Sequence, residues 1–132
     1  MEGDSGDASG RAAISPAIAP GIERRVEIVI GDRHLTRHVG GRGVFSTPAM
    51  IGLMEGCAHE SVAPLLSAEQ TTVGYEVHVF HRAPADPGET IVVTSRLADV
   101  VEHRLTFEVR ATRGETLLGE GIHRRAIVSA RA

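Results

Sequence analysis

The chain of 132 residues has no lysine, no tryptophan, one tyrosine, three phenylalanines and one cysteine. A lone cysteine, Cys57, excludes an internal disulfide and fits a reducing compartment, so a cytoplasmic location is expected. No apolar run approaches the ~20 residues of a membrane span, and the start of the chain carries no basic, hydrophobic leader, so no membrane partner is expected. All 14 basic residues are arginines, set against 17 acidic ones for a net charge of −3. That balance gives no electrostatic footprint for nucleic acid. Arginine in place of lysine reads as compositional bias of the source rather than a functional signal. A glycine-rich phosphate loop between strand and helix is missing, as is a G-x-S-x-G nucleophile elbow.

What remains is 42% hydrophobic residues in a chain of a length suited to one core. Residues 1–20, rich in Gly, Ala, Ser and Pro without apolar period, are expected to form a disordered tail, with a single domain over 21–132. Val26, Ile28 and Ile30 alternate as in a strand, "HLTRHV" suggests a short second strand, and "GGRG" (40–43) a break. A long helix within 44–66 is followed by strands at about 72–82, 89–100, 103–112 and 115–128. "PADPGE" and "RGE" supply turns, whereas the boundary near Glu102 and His103 lacks turn chemistry. One apolar helix and a run of antiparallel strands predict an α+β fold with the helix packed on one sheet.

In the helix, Thr47 before Pro48 reads as an N-cap followed by proline at the first position. Met50, Leu53, Met54, Cys57, Ser61 and Leu65 form one stripe, and Ile51, Ala58 and Val62 an adjoining row on which Glu55 falls. Two readings of Glu55 stand. It is either a boundary residue whose head reaches water, or a desolvated carboxylate with a partner or a task. Strict period two in "TTVGYEVHVFHRAP" puts Val73, Tyr75, Val77, Val79 and His81 on the core face, and Gly74, Glu76, His78, Phe80 and Arg82 outside. A core-facing imidazole beside a helical carboxylate can move protons. His34 and His38, if on one strand, lie ~13 Å apart, too far for one metal, and Glu55 and His59 find no further ligands, so no metal or other cofactor is expected.

The order of strands, "GLMEGCAHESVAPLL", "TTVGYEVHVFHRAPADPGE" and "GEGIHRRAIV" resembles the fluoroacetyl-CoA thioesterase family of hot-dog-fold proteins over roughly residues 22–130. The resemblance implies an antiparallel sheet wrapped around one long helix, a homodimer with sheets paired edge to edge, and acyl-CoA sites at the dimer interface. It implies hydrolysis of a short acyl-CoA thioester, with Thr47, Glu55 and His81 catalytic. Gly74 would meet the thioester carbonyl through its amide, and Arg125 (Arg124 if the register slips by one) would be the site arginine. The family's lid between second strand and helix is longer and carries phenylalanines. Here "VGGRGVFS" fills that space, and Phe45 is its only aromatic and the candidate contact to the acyl group. Two other readings are open. Hot-dog hydratases use an aspartate with a histidine, and this helix holds no aspartate; a hot-dog module that only binds an acyl thioester would not need all three of Thr47, Glu55 and His81.

Overall fold

The computed structural model describes residues 12–131. Seven strands and one long helix follow in the order β1 (Glu23–Val29), β2 (Leu35–Thr36), β3 (Val44–Phe45), α1 (Thr47–Val62), β4 (Gln70–His81), β5 (Thr90–Val101), β6 (Arg104–Arg113) and β7 (Thr116–Ser129). Five strands make one antiparallel sheet in the order β1-β5-β6-β7-β4, and β2 and β3 form a separate two-stranded ribbon. The α+β expectation holds, and the four long strands lie within two residues of their expected limits. The soft boundary at Glu102 is a tight turn in which Glu102 itself takes φ 55, a left-handed conformation that composition did not advertise. Of "HLTRHV", His34 ends a 3-10 turn, Asp32–His34, and only Leu35 and Thr36 form a strand, β2.

Helix α1 lies across one face of the sheet and buries Met50, Met54, Cys57, Ala58 and Val62 against Ile91, Val93, Leu97, Leu105, Phe107 and Ile127. Ser46, not Thr47, is its N-cap: the Ser46 hydroxyl accepts from the Ala49 amide at 3.1 Å. The Thr47 hydroxyl is therefore spared capping duty. Pro64 then breaks the helix into a 3-10 turn, Ala63–Leu65.

Strand β4 departs from strict alternation. Its pairing with β7 slips between Gly74 and Glu76, so Tyr75 is the extra residue of a β-bulge. The inward set is thus Gln70, Thr72 and Gly74 before the bulge, and Val79 and His81 after it. Val73 and Tyr75, expected on the core face, are 46% and 45% exposed. Gly74, expected outside, faces the helix: a Cβ there would lie 2.8 Å from Glu55 Oε2. His81 does face inward, and His78 is exposed on the outer face as expected, bonded to Glu76.

The expected tail differs over residues 12–20, and residues 1–11 lie outside the described residues. Ile18 is 5% exposed and belongs to the core, with Ile14 packed against it. The Ala12 carbonyl accepts from Gln70 and lies 2.9 Å from the His103 ring, and the Gly21 amide donates to Leu97. Two isoleucines are too few to give a periodic signal, but both join the core. Ile18→Ala should cost about 2 kcal/mol or more, the usual range for a large-to-small core change, read as a lower denaturant midpoint. An unchanged midpoint would contradict the docking of this segment.

Candidate active site

Two clusters of polar side chains flank α1. The first sits at its N-terminal end, where β3 ends and β4 finishes. Because Ser46 does the capping, the Thr47 hydroxyl points sideways and meets His81 Nδ1 at 2.8 Å. The ring of Phe45 stands edge-on to the His81 ring, centroids 5.8 Å apart and planes at 81°. Phe45 is itself 2% exposed, so it props the imidazole rather than reaching into solvent. His81 Nε2 is buried and finds no hydrogen-bond partner among the described residues. Burial pushes the His81 pKa below the ordinary histidine value, and the backbone of Ala83 partly offsets this. The ring is therefore neutral near pH 7, with Nδ1 as its working nitrogen. An open cleft of about 380 Å³ gives access to Thr47 and His81.

The second cluster lies further along the helix, opposite the start of β4. Glu55, Gly56 and His59 line it from α1, Thr72, Val73 and Gly74 from β4, and Arg125 from β7, around a cleft of about 420 Å³. The Glu55 side chain is 40% exposed, so in the single chain it is a boundary carboxylate with its head in the cleft and not a core residue. Arg125 is 8% exposed. It donates from Nε to the Thr72 hydroxyl at 2.8 Å and from Nη2 to the Thr72 carbonyl at 2.9 Å, and its Nη1 lies 3.1 Å from His123 Nε2. None of these partners is a carboxylate. Burial lowers the Arg125 pKa, and Glu55 nearby raises it again. Arg124 points to the other face, on Glu76 and Thr106, so the inward arginine is Arg125.

Reading the sequence alone missed His123 and Thr72, and weighed His59 only as a metal ligand. His123 is 1% exposed, with Nδ1 3.0 Å from the Glu76 carbonyl and Nε2 3.9 Å from Glu55 Oε2. Its pKa is lowered by burial first, raised by the Glu76 carbonyl, lowered by Arg125 and raised by Glu55. A signal was present: His123, Arg125 and Ile127 share one strand face, and Ile127 is plainly core.

The clusters do not touch within one chain. Thr47 and Glu55 are eight helical residues apart, about 12 Å along the axis. Gly74 and His81 are seven strand residues apart, about 20 Å. A single thioester cannot span that gap.

A buried histidine, His123, and a half-buried one, His81, both with lowered pKa, give the stability a sign. The unfolded chain binds their protons more readily, so the stabilisation is complete above the ordinary histidine pKa and is lost as pH falls through and below about 6.5. Chemical denaturation between pH 8 and pH 5 should show stability falling on the acid side, and His123→Asn should flatten that slope. A slope unaltered by the substitution would contradict a neutral, buried His123.

A sequence profile of the fluoroacetyl-CoA-specific thioesterases matches residues 31–131. The fluoroacetyl-CoA thioesterase of Streptantibioticus cattleyicolor is 38% identical over 85 residues, which is 64% of this chain and 61% of that protein. The match thus spans about three fifths of that relative's length. A solved structure of a fluoroacetyl-CoA thioesterase superposes with a TM-score of 0.78 at 30% identity, covering 84% of this chain and 88% of the other. A hot-dog-like protein from Thermanaerovibrio acidaminovorans, 22% identical, superposes with a TM-score of 0.77 over 84% of each chain. With a helix wrapped by one antiparallel sheet and a profile match over most of its length, the chain has the hot-dog fold and belongs to the fluoroacetyl-CoA-specific thioesterase family.

Proposed function

We propose that the protein is a thioesterase that hydrolyses a short acyl-CoA, with Thr47, Glu55 and His81 as its catalytic residues. The observation that carries this is the 2.8 Å contact between a threonine hydroxyl released from capping and the open-facing nitrogen of a neutral histidine. When Nδ1 is unprotonated it accepts from the hydroxyl and can take its proton, or that of a water held there. The attacking oxygen adds to the thioester carbonyl, the Gly74 amide stabilises the resulting oxyanion, and the C–S bond breaks to release CoA as the thiol. Water supplies the second oxygen of the carboxylate product, by either direct attack or resolution of an acyl-threonine. Glu55 carries the other proton-handling role, and Arg125 meets the polar part of the acyl group. Phe45 acts on the acyl group only indirectly, through the His81 ring that it supports.

The working unit is a homodimer in the cytoplasm. Among the described residues, strand β4 is paired only on its β7 side, and Val73, Tyr75, Val77 and Phe80 leave 37–63% of their surface exposed along it. An unpaired apolar edge of this kind is normally covered. Antiparallel pairing with the β4 of a second copy about a two-fold axis at His78 sets Val79 opposite Val77 and Phe80 opposite Glu76 of the partner, and the skip at the Tyr75 bulge then brings His81 opposite Gly74 of the partner. Thr47 and His81 of one copy then meet Glu55, Gly74 and Arg125 of the other, closing the gap that no single chain can close.

A thiol-release assay over a panel of short acyl-CoAs, fluoroacetyl-CoA among them, tests the activity. Glu55→Gln and His81→Ala should each lower turnover by a factor of ~10² or more, because neither replacement can carry the proton. His78→Ala, on the outer face, should leave turnover unchanged. Equal losses at His78 and His81 would overturn the site, and thiol release from no acyl-CoA would leave a module that binds thioesters without cleaving them.

A further inference from the structure

We propose that His123 is a positioning residue for Arg125, holding the guanidinium so that its unspent N–H groups face the space above Gly74. This rests on the thioesterase reading, since that space is where the acyl group would lie. An arginine can only donate, so Arg125 Nη1 at 3.1 Å requires a bare Nε2 on His123. The ring proton then sits on Nδ1 and donates to the Glu76 carbonyl at 3.0 Å. Each ring nitrogen has one partner, and together they fix the tautomer. Thr72 completes the clamp: its hydroxyl and carbonyl each accept from Arg125, and the hydroxyl also lies 2.6 Å from His59 Nδ1. Three of the five guanidinium N–H groups are spent, which leaves two for a ligand.

What a side chain at Gly74 would meet shows where Nη1 lies. A Cβ there would lie 2.8 Å from His123 Cε1, 2.8 Å from Glu55 Oε2 and 3.1 Å from Arg125 Nη1. Three groups thus converge on a space that exists only because residue 74 has no side chain. Protonating His123 would turn Nε2 into a donor aimed at another donor, and the clamp would release. Every charged neighbour of the ring can be named. Glu55 on α1 favours the protonated ring and Arg125 on β7 opposes it. The Glu76 carbonyl on β4 favours it, His59 reaches it only through Thr72, and Phe107, opposite on β6, brings no charge. Burial outweighs them and keeps the ring neutral.

His123→Asn retains an N–H for the Glu76 carbonyl and deletes the acceptor for Arg125, whereas His123→Gln can return an acceptor oxygen near Nε2. In the full chain, His123→Asn should lower kcat/KM for the best acyl-CoA by roughly tenfold or more, as misplacement of a substrate-contacting group does. His123→Gln should recover most of that loss. In an Arg125→Met background the asparagine change should alter kcat/KM by less than about twofold, since it acts only through Arg125. A full tenfold loss in that background, or no loss in the native one, overturns the proposal. Nitrogen-15 spectra of the histidine rings judge it without reference to turnover or variants. Nδ1 protonated and Nε2 bare at pH 7 supports it, and Nε2 protonated overturns it. If the unaltered protein releases thiol from no acyl-CoA, the thioesterase reading fails separately, and the ring spectrum still decides whether His123 holds Arg125.

Discussion

The single extra residue at Tyr75 governs what β4 can present. A strand of unbroken alternation would put Gly74 and His81 on opposite faces of the sheet, and only one of them could look at α1. The bulge turns the strand by one residue, so that Gly74 and Thr72 face the helix before it and Val79 and His81 face it after. Everything polar on the helix side follows from that slip. Thr72 reaches Arg125, Gly74 leaves room for Glu55 and His123, and His81 arrives beside Thr47.

Burial does the electrostatic part. His81 and His123 both sit where the charged form is disfavoured, and each is held with a chosen nitrogen available. Arg125 cannot respond in the same way, because a guanidinium keeps its proton. It is instead hydrogen-bonded to Thr72 and faces His123, with Glu55 near enough to moderate its charge. A buried cation satisfied by neutral acceptors is costly to assemble for stability alone. Its placement makes sense if part of its hydrogen-bonding capacity is reserved for a ligand.

Much of this was legible in the sequence, for physical reasons that can be named. The helix was legible because its apolar residues recur at helical spacing and Pro48 marks its start, and the four long strands because turn residues bound them. Thr47, Glu55, His81 and Arg125, singled out in the sequence, line the two clefts. The N-cap was misassigned by one residue, since serine and threonine cap equally well and only geometry chooses between them. The bulge's one trace was Gly74, a glycine inside a strand pattern, which strict alternation overrode. Residues 12–20 were read as a tail because Ile14 and Ile18 stand alone among small residues, although the sheet receives them. His123 was hidden by its neighbours: in "HRRA" the charged pair draws the eye, and the imidazole that disciplines it does not.

The central claim is that one catalytic unit needs two chains, with Thr47 and His81 from one and Glu55, Gly74 and Arg125 from the other. Mixing two inactive variants tests it most directly, one chain carrying Thr47→Ala with His81→Ala and the other Glu55→Gln. After subunit exchange, half the dimers are mixed and each has one intact site, so thiol release should return to roughly a quarter of the unaltered rate. If the mixture stays as inactive as its components while subunit exchange is demonstrated, the three residues work within a single chain and the two-chain account is wrong.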